Sequence, residues 1–184
     1  CKAAIEALTC QDDDVVGDLR ICRFLRARHG NQKEACTWFR EFLEWRVTSD
    51  MDTRRQQVVG RSPQELLDWW TLRRNPFLPM CPYAGRNEEG HVIWMVRVGY
   101  VDAKNFLETP IGIDAERAQI DLLLEWALWY LDELSRKEGR MVYIIKIMDL
   151  KGLGSEGRKV PIFVPEMKVF LSSMMQSMQK NYCE

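Results

Sequence analysis

The sequence predicts an α/β protein: an all-α N-terminal subdomain packed on the first part of an α/β domain. Three observations predict it. Segments of helical period come first, with no strand-type run among them. A Pro-rich break follows at residues 75–82. Beyond it, strand-type and helix-type patterns alternate. The expected division is 1–75 for the helical part and 76–184 for the α/β part.

The elements follow in order. Asp12, Asp13 and Asp14 precede a helix over 14–28, where acidic residues suit the N-cap and the positive end of the helix dipole. Gly30 ends it. Asn31 caps a second helix, which carries Ala35, Trp38, Phe39, Phe42, Leu43 and Arg46 at helical spacing. Joined by Gly-Asn, the two helices make a hairpin that buries one stripe on the other. Ser62 as cap and Pro63 in the first turn open a third helix over 63–73, which Asn75-Pro76 breaks. Residues 75–82 read as a linker. Asn87-Glu88-Glu89-Gly90 is a turn, and the β-branched and aromatic residues of 92–98 form a strand. Residues 114–137 form a long helix that is apolar over more than half its circumference, as in a helix buried on two sides; Gly139 stops it. The apolar run at 141–148 suits an interior strand buried on both faces. A glycine-rich loop at 149–157 precedes a last helix over 165–181, carrying Met167, Phe170, Leu171, Met174, Met175 and Met178. There is no internal repeat and no low-complexity tract.

Composition narrows the function classes. With 46% hydrophobic and 29% charged residues, the chain is an ordinary globular sequence of 184 residues. A net charge of −1 gives no global field for nucleic acid. Six cysteines without a Cys-x-x-Cys pair read as reduced thiols of a cytosolic protein. The two histidines have no ligand or dyad partners nearby in sequence, which argues against a zinc site and a histidine-based nucleophile. No signal peptide and no run of about 18 apolar residues is present. The chain starts at Cys1 and stops shortly after a helix, so the expectation is a sequence cut at both ends.

Residues 19–30 carry the strongest chemical signal. Ile21, Phe24, Leu25 and Arg28 fall at i, i+3, i+4 and i+7, so Arg28 continues an apolar stripe while Arg20, Arg23 and Arg26 lie to the side, towards water. An arginine turned to a core keeps its charge and needs a carboxylate or a phosphate. A structural ion pair and an anion-binding role both satisfy that need. Lys146 is a lone cation in an apolar strand, on the face of Val142, Ile144 and Met148. It either snorkels to water near a sheet edge or lines a cavity that meets an anionic headgroup. Asp149, at the strand's carboxyl end, is a ligand-side residue or a turn former. The loop after it lacks the Gly-Lys-Ser/Thr of a phosphate loop, and no nucleophile elbow occurs, so nothing specific supports an enzyme. The methionines at 167–178 suit a core or an adaptable pocket.

Together these segments resemble the CRAL-TRIO family of lipid-binding proteins, which includes the phosphatidylinositol-transfer proteins. Residues 19–30, with Trp45-Arg46 after them, look like the family's N-terminal helical signature. Asn87-Glu88-Glu89-Gly90-His91-Val92 is similar to its turn into the first strand. Ile147-Met148-Asp149-Leu150-Lys151-Gly152-Leu153 matches its central strand and loop, and Asn181-Tyr182-Cys183-Glu184 looks like its Asn-Tyr-Pro-Glu. The blocks fall in the family's order along nearly the whole chain. The resemblance implies a helical subdomain on an α/β lipid domain, incomplete here because the family's chain continues into another strand and a gating helix. It implies non-enzymatic binding and transfer of one phospholipid, a phosphoinositide, whose headgroup is held by Arg28 with Glu184. Lys146 and Ile144 stand where choline-binding members carry hydroxyls, which points to an anionic head and adds Lys146 to the headgroup set. Candidate pocket residues are Trp94, Val142, Ile144, Met148, Met174 and Met178. The implied protein is a cytoplasmic monomer in transient contact with membranes, with no metal and no cofactor beyond the bound lipid. The alternative is a docking or regulatory module that carries no stoichiometric lipid.

Overall fold

The computed structural model describes residues 13–73, 79–102, 105, 108, 113–151, 169 and 172. It begins with α1 (Asp13–Val16) and α2 (Asp18–Ala27), followed by α3 (Gln32–Thr48), α4 (Met51–Arg55) and α5 (Pro63–Arg73). Then come β1 (Met80–Cys81), β2 (Val92–Val96), a 3-10 turn at Val98–Tyr100, the long helix α6 (Ile113–Glu138) and β3 (Ile144–Met148).

Local chemistry sets the helix boundaries. After α2, His29 and Gly30 are left-handed, with φ of 51° and 81°, and the Gly30 N–H donates to the Leu25 carbonyl at 2.8 Å. Asn31 then accepts from the Glu34 N–H at 3.2 Å and caps α3. The hairpin closes on Phe24, Phe39 and Phe42, with ring centroids 5.2–6.0 Å apart. At α5, Ser62 and Glu65 form a reciprocal capping box: the Ser62 N–H donates to Glu65 Oε2 at 2.7 Å and the Glu65 N–H to Ser62 Oγ at 3.3 Å.

The sheet has the order β1-β2-β3, with β1 antiparallel and β3 parallel to β2. The expected linker therefore contains a short strand at its end. The turn before β2 forms as expected, with the Gly90 N–H donating to the Asn87 carbonyl at 2.8 Å. The parallel crossover runs through α6, whose residues 121–128 are all buried. One core joins Met51, Val58, Leu66, Trp69 and Trp70 of the helical part to Val92, Trp94 and α6. The hairpin's own cluster is Val15, Phe24, Phe39, Phe42 and Leu43. The main core thus crosses residue 75, so α4 and α5 belong energetically with the sheet.

Three expectations need correction. Among the described residues β3 is not an interior strand buried on both faces: it is last in the sheet order, and Ile145 and Ile147 are 37% and 44% exposed. The physical reason lies in the register. Val92 and Trp94 pair with Ile144 and Lys146 on the face turned to α6, and the opposite face carries Ile93, Met95, Ile145 and Ile147 away from it. Arg20 and Arg23 do not reach water, because their guanidiniums reach Asp132 of α6; they are 4% and 3% exposed. The cysteines are not all reduced: Cys22 and Cys81 are free thiols but Cys36 is disulfide-bonded. A disulfide is typical of oxidising compartments, so the cysteines no longer point to the cytosol. The glycine-rich loop beyond residue 151 and the expected helix over 165–181 lie outside the described residues, positions 169 and 172 excepted.

Candidate functional site

The arginines of α2 divide into two groups with different chemistry. Arg23 Nε donates to Asp132 Oδ1 at 2.9 Å, and Arg20 Nη2 lies 3.5 Å from Asp132 Oδ2. Both Nη atoms of Arg23 also donate to the Val142 carbonyl at 3.2 Å. Deeper along α6, Glu125 accepts from Arg46 Nη1 at 2.7 Å and lies 3.3 Å from Arg55 Nε, while Arg46 Nε donates to Asp52 at 2.8 Å. Asp132 is fully buried and Glu125 is 4% exposed. Burial pulls the Arg20 guanidinium below the usual arginine range, against the attraction of Asp132 and Glu125. At Arg46 burial acts the same way, but Glu125 and then Asp52 outweigh it and the net direction is upward. These side chains fasten the hairpin and α4 to α6. They are engaged by protein and offer no anion site.

Arg26 and Arg28 are the arginines here that solvent reaches: Arg26 is exposed, as expected, over the Tyr143 ring, and Arg28 is half-buried. Arg28 caps the C-terminus of α2, with its side chain 21% exposed. Its guanidinium stacks over Trp38, 3.3 Å from the ring centroid, and Nη1 donates to Glu34 Oε1 at 3.3 Å. Its Nε is buried without a hydrogen-bond partner. The stripe from Ile21 to Arg28 thus runs towards α3 as expected, and its anionic partner is a carboxylate that is itself 44% exposed. An incoming phosphate oxygen competes there with a wet ion pair, which contributes about 0–1 kcal/mol.

The remaining described candidates lie on or beside β2 and β3. Lys146 is exposed on β3, opposite Trp94 in register. Trp94 and Val142 are 2% and 0% exposed within the core, Ile144 leans on that core, and Met148 is mostly exposed. By register Trp94, Ile144 and Met148 share one face of the sheet, buried at Trp94 and open at Met148, and Val142 packs in the same core as Trp94. Glu184, Met174 and Met178 lie outside the described residues. What the sequence reading did not single out is the outer sheet face, where Met95 (37%) joins Ile145 and Ile147 as exposed apolar side chains. The signal was present in the alternation of 143, 145 and 147, read as one of two equivalent buried faces. A recess of about 250 Å³ between α2 and α3, lined by Ile21, Phe24, Leu25, Ala35 and Phe39, is smaller than the about 300–1,000 Å³ usual for small-molecule sites.

Among the described residues no group of three or more His, Cys, Asp or Glu could hold a metal ion, and no helix is long and apolar enough to cross a membrane. No protein-family model matches this chain, and no curated protein matches it.

Proposed function

We propose that this chain binds a phospholipid with an anionic headgroup, a phosphoinositide, and transfers it between membranes without altering it covalently. The observation that carries the reading is the outer face of the sheet, where the exposed Met95, Ile145 and Ile147 stand beside the half-buried Ile93 as an apolar surface turned away from the core. Contiguous exposed apolar surface marks a binding site for something apolar. Acyl chains gain about 0.8 kcal/mol per methylene removed from water. Arg28 supports the headgroup part of the reading. It is a partly exposed guanidinium fixed in direction by Trp38, and a planar fork suits a phosphate. Lys146, exposed on β3 on the face opposite Ile145 and Ile147, is the second cation of the proposal. Family-level resemblance of the arginine motif and of the strand ending in Asp149 supports the same reading. The same exposed face favours a second reading, a docking module that covers it with a protein partner.

Loading from vesicles tests the proposal. The full chain is incubated with vesicles containing phosphatidylinositol phosphate or phosphatidylcholine, repurified, and its lipid extracted. The expected result is one lipid per chain, enriched in the phosphoinositide, with Arg28→Ala losing the enrichment and keeping its fold. A chain that emerges without lipid supports the docking module instead.

A further inference from the structure

Glu116 lies in the first turn of α6 and is 1% exposed. Both of its carboxylate oxygens are buried and neither has a hydrogen-bond partner. Three residues on, Gln119 Oε1 is also buried without a partner. Residues three apart are neighbours on a helix surface, so the first turns of α6 hold three buried acceptor oxygens without a hydrogen-bond partner. Buried acceptors without donors are costly, and a buried carboxylate without a counter-charge more so. A single proton on Glu116 removes the buried charge.

Among the described residues, the surrounding charged groups do not supply that compensation. Arg54 of α4, the element packed on α6, donates to the Ala118 carbonyl at 3.1 Å and to the Ser49 carbonyl at 3.5 Å. Arg46 and Arg55 hold Glu125, and Asp52 accepts from Arg46. On α6 itself, Asp114 is exposed, and neither Arg117 nor Asp121 hydrogen-bonds the Glu116 carboxyl.

We propose that Glu116 is a proton-operated latch: neutral, it seats the first turn of α6 in the core beside α4; ionised, it drives that turn outward. Burial, with no charged group offsetting it, raises the Glu116 carboxyl from 4.5 to about 7. The folded value is above the unfolded one, so the folded state binds the extra proton between those two values. The stabilisation is full below about 4.5 and is lost as pH rises through about 7. The inference does not depend on lipid binding.

Two measurements on the full 184-residue chain test it. The first follows the Glu116 side-chain carboxyl by carbon NMR through a pH titration. The second follows hydrogen exchange at amides 117–121, whose helical acceptors lie in the first turn, corrected for intrinsic rate. The latch predicts a midpoint above about 6 and at least a roughly tenfold loss of protection between about pH 6 and about pH 8, absent in Glu116→Gln. A midpoint in the ordinary carboxylate range overturns it, as does equal loss of protection in Glu116→Gln. If that variant fails to fold, the wild-type midpoint decides alone.

Discussion

Asp132→Ala tests the ionic fastening between the hairpin and the long helix. Asp132 is fully buried and faces two guanidiniums that are themselves 4% and 3% exposed. Truncation leaves Arg20 and Arg23 in place without this carboxylate; Arg20 keeps its donation to the Asp14 carbonyl and Arg23 its donation to the Val142 carbonyl. Breaking a buried pair by removing one partner costs about 3–5 kcal/mol, because the remaining charge stays desolvated. Domains are stable by about 5–15 kcal/mol, so this single change removes a large share. Urea unfolding followed by tryptophan fluorescence reads the effect. With a slope of about 2 kcal/mol per molar, the midpoint falls by about 2 M. Replacing all three charges with apolar residues of similar volume, as Arg20→Met, Arg23→Met and Asp132→Leu together, recovers most of the loss, because no unpaired charge then remains. A midpoint shift below about 0.5 M for Asp132→Ala, corresponding to about 1 kcal/mol, refutes the reasoning. It would mean that water or a rearranged carboxylate reaches the two arginines.

Other outcomes follow from the same geometry. Arg28→Ala changes stability by about 1–2 kcal/mol at most, since it loses only a ring stack and a wet ion pair, and urea unfolding measures this against Asp132→Ala. Glu34→Gln frees the Arg28 fork and raises binding to phosphoinositide vesicles in a sedimentation assay while leaving the unfolding midpoint within about 0.5 M. Ser62→Ala removes the α5 cap and costs about 0.5–2 kcal/mol. The backbone N–H of Ser62, then its hydroxyl, holds the Glu65 carboxyl below the usual carboxylate range, so this contribution to stability is present above 4.5 and fades as pH falls through the folded value; in Ser62→Ala that acid-side loss is smaller. Gly99→Ala places a Cβ 1.9 Å from the Lys151 carbonyl oxygen, with backbone on both sides of the clash, and destabilises the chain by about 1–3 kcal/mol in thermal melts.

The fold class was legible because each element carries its own local signal. Asn31, Ser62 and Gly139 mark boundaries that the structure keeps, and the Asn87-Gly90 turn forms where its residues require. The arginines were harder to read. Helical spacing gives α2 one apolar stripe, but the helix is buried on two sides, and the second side is written in charges. Glu125 and Asp132 hold the matching signal: two carboxylates seven residues apart on an apolar helix, hence on one face, with each facing arginines. No local rule connects them to Arg23, which is 109 residues away. The strand at 144–148 shows the opposite limit. Its composition is that of a strand covered on both faces, yet which face meets α6 depends on the parallel register with β2, which composition does not encode.

Native mass spectrometry of the chain after exposure to mixed vesicles tests the central claim most directly. Lipid binding predicts a mass increment of one phospholipid per chain, drawn from the phosphoinositide fraction and lost on Arg28→Ala. A folded chain that stays at its protein mass, with lipid in excess, contradicts the claim and leaves the apolar sheet face to a protein partner.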